Sequence, residues 1–160
     1  MAMNEESVLL TKEGISRLKA ELEELETIRR PEVAQEIREA QELGPDQLDG
    51  QYEDAKNQQA FLEGRINEIE RMLERAQVID EKAAHKSKEV RVGSTVSVKR
   101  TKGGKSQKYL LVGPAEANPA EGRISYESPV GNALVGKKRG DKIRVKTPGG
   151  EIQMHITAIS

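Results

Sequence analysis

The 160-residue chain has no cysteine and no tryptophan, and it contains only one phenylalanine and three tyrosines. The absence of cysteine excludes disulfide frameworks, thiolate metal sites and cysteine nucleophiles. No apolar run approaches the roughly 20 residues that a membrane-spanning helix needs. The N-terminus, with Glu5 and Glu6, lacks the basic and apolar regions of a signal peptide. We therefore expect a cytoplasmic protein with no membrane partner.

The charges are balanced overall but divided unevenly along the chain. There are 26 Lys plus Arg against 27 Asp plus Glu, a formal net charge of -1. Residues 1–80 hold 10 basic and 20 acidic side chains, whereas residues 81–160 hold 16 basic and 7 acidic ones. A chain of this length forms one ordinary domain or two small ones. The charge division favours two parts with different partners.

Residues 1–80 have the composition and periodicity of a long helical hairpin. Thr11 is a candidate N-cap, and Pro31 predicts a kink within the first arm, not its end. Gly44 and Pro45 break the helix, and residues 44–50 form the predicted turn. Apolar side chains recur three and four residues apart in each arm, as in an antiparallel coiled coil. The positions are Ile15, Leu18, Leu22, Leu25, Ile28, Val33, Ile37, Ala40 and Leu43, then Tyr52, Ala55, Leu62, Ile66, Ile69, Leu73 and Ala76, with the polar Gln59 on the same seam.

Residues 91–160 follow the two-residue period of β-strands. Residues 81–90 are polar and lack periodicity, which predicts a linker. Five β-branched runs then alternate with Gly and Pro turns, and a short helix is predicted over residues 129–135. The runs lie at residues 92–98, 109–112, 123–126, 143–145 and 152–156. The predicted fold class is α+β, a coiled-coil domain followed by a small, mostly antiparallel sheet domain.

The predicted turn of the hairpin is strongly acidic. No basic residue occurs between Arg38 and Lys56, and this stretch holds Glu39, Glu42, Asp46, Asp49, Glu53 and Asp54. Carboxylate clusters bind hard cations such as Mg²⁺, which usually takes one or two carboxylates from a protein. Runs of like charge are also common on simply solvated surfaces. Both interpretations are open at this point.

Short motifs in order along almost the whole chain resemble the Gre transcript-cleavage factors, which act on bacterial RNA polymerase. Single motifs of this length are weak signals, but the ordered series spans both predicted domains. The matching motifs of the first half lie at residues 10–14, 18–22, 29–32, 58–59, 63–66 and 76–80. Those of the second half lie at residues 93–96, 116–117, 124–125, 128–137 and 146–151.

This resemblance implies a fold and a mode of action. Gre factors have an N-terminal antiparallel coiled coil and a C-terminal domain similar to FKBP-type folds. The C-terminal domain docks at the polymerase's secondary channel, and the coiled coil carries acidic tip residues to the catalytic Mg²⁺. The polymerase then hydrolyses backtracked RNA by two-metal chemistry, so the factor itself is not an enzyme.

The tip of this chain differs from the Gre pattern Gly-Asp-Leu-Lys-Glu-Asn. An alignment without gaps places the two family acids on Pro45 and Leu48, which cannot bind a metal. If Pro45 is an inserted residue, Asp46 and Asp49 keep the spacing of three and become the expected Mg²⁺ ligands, shared with the polymerase. Two hypotheses follow: a cleavage factor that uses Asp46 and Asp49, or a Gre-like channel occupant that modulates or inhibits transcription without cleavage.

Four further residues match functional positions of the family. Lys56 is expected to face the backtracked RNA 3′ end, or else to be an ordinary exposed charge. Tyr52 is expected near the RNA as well, although it also lies on the heptad seam. Ser128 and Pro129 lie in the segment that resembles the polymerase-docking region, and Ser-Pro is equally typical of a helix start.

Three other functions receive little support from the residues. A prolyl isomerase needs an aromatic pocket, whereas the second half holds only Tyr109 and Tyr126. A dimeric coiled-coil adaptor needs an unbroken seam, so we expect a monomer. The basic second half, with runs at residues 99–102 and 137–139, indicates a general positive field toward nucleic acid and not a sequence reader, because no groove-reading helix is predicted.

Overall fold

The chain folds as an α+β protein with two compact units. The computed structural model describes residues 7–43 and 48–160, and of Leu48 and Asp49 it describes the backbone. One unit is Ile15–Arg75, and the other combines the chain up to Gly14 with Ala76–Ser160. The sequence pattern predicted a boundary at residue 80. The five residues before it belong to the second unit, for a reason described below.

The first unit is a helical hairpin. Its helices are α1 (Lys12–Glu24), α2 (Arg30–Glu42) and α3 (Leu48–Glu74), with a π-helical segment (Leu25–Arg29) joining α1 to α2. The two arms run antiparallel, since Arg65 of α3 pairs with Glu21 of α1 whereas Arg30 of α2 pairs with Glu63. Helix α3 already begins at Leu48, so residues 48–50 of the predicted turn are helical, and residues 44–47 of that prediction lie outside the described residues.

The predicted distortion around Pro31 takes the form of a π-helical turn. Proline has no backbone N–H, and its ring clashes with the carbonyl four residues earlier. The preceding turn is widened: the Arg30 N–H donates to the Leu25 carbonyl, five residues back, and Arg30 keeps helical angles. The helix therefore continues through this point, as predicted.

The core of the hairpin is narrow. Val33, Leu62 and Ile66 are buried together, and Leu22, Leu25 and Ile37 pack against them. These residues belong to the apolar stripe predicted from the sequence. Ile28, predicted on the same stripe, is 52% exposed, so that part of the prediction is wrong. An apolar stripe of this width is enough to join two helices and leaves the remaining faces to charged side chains.

Two short strands and a helix correct the predicted boundaries. Strand β1 (Val8–Leu10) pairs in parallel with β2 (Ala76–Val78), so the chain entering the hairpin is hydrogen-bonded to the chain leaving it. Ala76 is therefore in a strand and not on the helical seam. Helix α4 (Glu81–Lys86) occupies the predicted linker, where Asp80 caps it and Ala84 is buried.

The second unit is built on a five-stranded sheet. Its strands are β3 (Thr95–Arg100), β4 (Ser106–Val112), β5 (Arg123–Ser125), β6 (Lys142–Thr147) and β7 (Gly150–Ile159). Their order is β5-β4-β3-β7-β6, and every pair is antiparallel except β4 with β5. Helix α5 (Pro129–Leu134) covers one face, where Leu134 joins the buried aliphatic core. All five strands and this helix were predicted, although β3 starts three residues later than Val92.

One half-buried carboxylate contact joins the start of α1 to the sheet unit. The Thr11 backbone N–H donates to Glu116 at 2.7 Å, and the Thr11 hydroxyl donates to the other carboxylate oxygen at 2.5 Å. Thr11 in turn accepts from the Gly14 N–H at 2.9 Å, which confirms it as the N-cap of α1. A Cβ on Gly14 would lie 2.2 Å from the Glu116 carboxylate, so glycine permits this contact.

Replacing Glu116 by alanine is expected to lower the free energy of unfolding by about 2–3 kcal/mol, because Thr11 is 5% exposed and its N–H would be left without a partner. Glu116→Gln should lose less, since its carbonyl still accepts one bond. Thermal unfolding followed by circular dichroism measures both. Glu121→Ala, on a 59% exposed side chain, is the matched control and should change stability by less than about 0.5 kcal/mol. An equal loss in the control would contradict the role of Glu116.

Candidate functional site

The acidic turn of the hairpin is the candidate site at the level of the sequence. Asp46 lies outside the described residues, and the side chain of Asp49 does as well. The backbone of Asp49 is helical and lies in the first turn of α3. Among the described residues, no three His, Cys, Asp or Glu side chains are grouped to hold a metal ion. The assignment of Asp46 and Asp49 as Mg²⁺ ligands therefore stays a prediction from sequence.

Tyr52 and Lys56 lie on α3, one and two turns after Asp49. Tyr52 is half-buried, as expected for a residue on the seam between the helices. Lys56 is exposed, and its ammonium group donates to Gln59 at 3.0 Å. A single surface contact of this kind leaves the lysine available to a phosphate. The proposed roles of both residues toward RNA stay predictions.

Charged hydrogen bonds connect the two arms of the hairpin at a distance from its acidic end. Arg30 holds Glu63 with two bonds of 2.8 and 2.9 Å, and Arg65 holds Glu21 with two bonds of 2.7 and 2.9 Å. The bond from Arg30 lowers the pKa of Glu63, and the bond to Glu21 raises the pKa of Arg65. These side chains are about two-fifths exposed, so each pair adds little stability but fixes the register of the two arms.

An apolar groove on the side of the hairpin was not predicted from the sequence. Phe61, the only phenylalanine, is 84% exposed and lines a shallow groove of about 740 Å³ with Leu25 and Gln58. The π-helical segment forms the opposite wall through Leu25 and Arg29. The sequence contains a signal for this exposure. Phe61 lies next to the seam residue Leu62, and adjacent residues of a helix point in different directions, so Phe61 is directed away from the partner helix.

Ser128 and Pro129 form the start of α5. The Ser128 hydroxyl donates to the Ser125 carbonyl at 2.6 Å and accepts from the Gly131 N–H at 3.1 Å, so this residue is the N-cap. Pro129 occupies the first helical turn and is exposed. Burial raises the pKa of the neighbouring Tyr126, and the charge of Glu127 adds to this effect. The structural interpretation of Ser-Pro is confirmed, and the exposed Pro129 is compatible with docking.

The described parts define a class of protein: an α+β protein in which a charged antiparallel helical hairpin is joined to a mostly antiparallel sheet unit. Two family profiles match this chain. The one described as "Transcription elongation factor, N-terminal" matches residues 8–78, and "Transcription elongation factor, GreA/GreB, C-term" matches residues 85–160. The chain therefore belongs to the GreA/GreB family of transcription elongation factors.

Individual relatives are similar over nearly their full length. The chain is 49% identical to transcription elongation factor GreA of Chloroflexus aurantiacus over 98% of this chain and 99% of that protein. It is 45% identical to the GreA of Thermoanaerobacter pseudethanolicus, covering 95% and 96% of the two chains. Among solved structures, GreA factor homolog 1 (Gfh1) of Thermus thermophilus is 33% identical, covers 96% of this chain and 99% of its own, and has a TM-score of 0.44.

No helix among the described residues is long and apolar enough to cross a membrane. This result agrees with the composition of the chain, in which one residue in three is charged.

Proposed function

We propose that this elongation factor binds bacterial RNA polymerase, inserts its helical hairpin into the secondary channel and stimulates cleavage of backtracked RNA by the polymerase's own active site. The observation that carries the proposal is the acidic end of the hairpin, which has six carboxylates and no basic residue between Arg38 and Lys56. The full-length match to GreA/GreB proteins supports the same function.

In this proposal Asp46 and Asp49 hold a second Mg²⁺ together with the polymerase. When bound, the Mg²⁺ would supply Lewis-acid polarisation of the phosphate and a more acidic water, and Asp46 and Asp49 would be its ligands from this chain. In the cleavage itself, water adds to the phosphorus atom of the RNA. The bond from phosphorus to the 3′ oxygen breaks, so the retained RNA gains a new 3′ hydroxyl and the released fragment carries the 5′ phosphate. The factor supplies ligands and position, and the polymerase supplies the reaction site.

The hairpin suits the task of positioning these ligands. Helix α3 has 27 residues and is therefore about 40 Å long. The paired arginines fix the register of the arms, and Lys56 lies two turns from Asp49, where a cation can contact an RNA phosphate. Pro129 and the Ser128-capped turn are the proposed docking contact with the polymerase.

The tip sequence favours a second candidate function, a channel occupant that modulates transcription without cleavage. In the ungapped register the family's two acids fall on Pro45 and Leu48. A displacement of metal ligands by about 1 Å can reduce a rate about a hundredfold. A protein with this tip could still bind the polymerase and occupy the channel.

A cleavage assay on halted, backtracked complexes separates the two candidates. Radiolabelled RNA in the complex is incubated with and without the protein, and released 3′ fragments are resolved by electrophoresis. We expect at least a tenfold increase in the rate of fragment release. If the protein binds the polymerase in a parallel pull-down but leaves this rate unchanged, the second candidate is correct.

A further inference from the structure

The sheet unit presents a basic surface that its fold does not require. Alternate residues of a strand lie on the same face of the sheet. On β6, Ile143 and Val145 are buried in the core, so Lys142, Arg144 and Lys146 lie on the opposite, exposed face. On β3, Val96 and Val98 are buried, and Lys99 continues the exposed face.

The strand register gathers these cations into one patch. His155 of β7 pairs with Lys142 on one side and with Lys99 on the other, and Lys99 pairs with Ser106 of β4. Lys108 lies two residues along β4 on the same face, opposite Ser97. We call Lys99, Lys108, Lys142, Arg144 and Lys146 the basic face. All five side chains are exposed.

Little opposes this positive charge. Of the residues that β3, β4, β6 and β7 place on this face, all within the described range, Glu151 is the single acid, and it lies 3.7 Å from Arg144. Neighbouring strands are about 4.8 Å apart, so the four strands span about 14 Å. Each residue advances about 3.3 Å along a strand, so Lys142 to Lys146 spans about 13 Å. The turn after β3 adds Lys102 and Lys105 beside it.

The chemistry around the cations favours phosphate over an acidic protein. Protein interfaces have a desolvated centre that is rich in aromatic and apolar side chains. None of the exposed large apolar side chains of the described residues lies on the basic face. Polar side chains, Ser97, Ser106 and Gln153 among them, lie between the cations, and Leu110 and Ala158 lie toward one edge of the face. Such polar residues join Lys and Arg in contacts to nucleic-acid backbones.

The same face favours a duplex over a single strand. Proteins that hold single strands stack the bases on aromatic side chains, and no Phe, Tyr or Trp lies on these positions. Duplex DNA carries one negative charge per about 1.7 Å of its axis, so about 13 Å of duplex carries about eight phosphates. This number is sufficient to pair with the five cations of the basic face. Helix α5 packs on the opposite, core side of the sheet through Leu134, so it is not placed to read base edges from the basic face.

We propose that the basic face binds the phosphate backbone of duplex DNA without sequence preference. Anisotropy of a labelled 20-base-pair duplex, titrated with the full-length protein between 25 and 200 mM salt, tests this. We expect a micromolar dissociation constant at low salt and a slope of log affinity against log salt of about −4 to −5 for five phosphate contacts.

A charge-matched pair of variants makes the test specific. The triple variant Lys142→Gln, Arg144→Gln and Lys146→Gln should bind at least tenfold more weakly and reduce the slope by about 3. The control triple Lys82→Gln, Lys86→Gln and Lys88→Gln removes the same charge from exposed positions on and after α4 and should stay within about twofold of the unmodified protein. If the β6 triple variant loses its circular dichroism spectrum, Lys99→Gln with Lys108→Gln tests the same face.

Four results would overturn the proposal. They are absence of duplex binding at 25 mM salt, equal weakening by both triple variants, a single-stranded 20-mer that binds as tightly as the duplex, and a β6 triple variant that keeps duplex binding but loses polymerase binding. The last result would identify an acidic protein surface as the partner. The assay contains no polymerase in its DNA arms, so its outcome is independent of the proposed cleavage function.

Discussion

Replacing Asp46 and Asp49 together by asparagine is expected to reduce stimulated RNA cleavage at least a hundredfold while leaving polymerase binding unchanged. Asparagine keeps the size of each side chain and removes the charge that holds a second Mg²⁺. Metal ligands act as a unit, so each single variant should lose almost as much activity as the double variant. Single-turnover cleavage of backtracked complexes measures the rates, and a pull-down with polymerase measures binding.

Two comparisons sharpen this result. Glu70→Gln with Glu74→Gln removes two exposed acids from the other end of α3, about 32–38 Å along the helix from Asp49. This variant should stimulate cleavage as well as the unmodified protein does. Pro45→Asp with Leu48→Glu restores acids in the ungapped family register. If the unmodified protein is inactive and this variant cleaves, the protein is the non-cleaving channel occupant.

Gly131→Ala is expected to destabilise the sheet unit by about 3 kcal/mol or more, because overpacking of this severity forces backbone movement. A Cβ at this position would lie 1.9 Å from the Ser125 carbonyl oxygen and 3.0 Å from the Ser128 hydroxyl. Those two atoms form the N-cap of α5, and the helix cannot shift freely because Leu134 is fully buried. Thermal unfolding should show a midpoint lower by more than about 10 °C.

Gly149→Ala is the matched control in the same unit. Its new Cβ would be 3.9 Å from the nearest atom, the Thr147 hydroxyl, so stability should change by less than about 1 kcal/mol. Polymerase binding gives a second readout for Gly131→Ala, since the distorted turn carries Ser128 and Pro129. A normal midpoint for Gly131→Ala would show that the turn relaxes without cost and would contradict this account.

The hairpin could be predicted because its information is local. Three-and-four spacing places Val33, Leu62 and Ile66 on facing stripes, and Gly44 with Pro45 excludes one continuous helix. The strands of the sheet were equally readable from their two-residue period and from the Gly and Pro turns between them. The fold class and the helix after Ser128 followed from these patterns.

The features that were missed depend on contacts between distant residues. Strands β1 and β2 have three residues each and are 65 residues apart, so neither shows a period of its own. The contact of Glu116 with Thr11 spans 105 residues. The basic face needs the strand order, because Lys99 and Lys142 become neighbours only through His155 of β7. The tip is the opposite case: its acidic character is readable from residue types, and the assignment of Asp46 and Asp49 as Mg²⁺ ligands comes from the family resemblance and stays a prediction.

The Mg²⁺ dependence of cleavage is the decisive test of Asp46 and Asp49 as metal ligands. Backtracked polymerase complexes are titrated with Mg²⁺ in the presence of the unmodified protein, of Asp46→Asn with Asp49→Asn, or of no factor. We predict that the protein raises the cleavage rate and lowers the Mg²⁺ concentration for half-maximal cleavage, and that the double variant loses both effects. Identical Mg²⁺ curves with and without the bound protein would contradict the account.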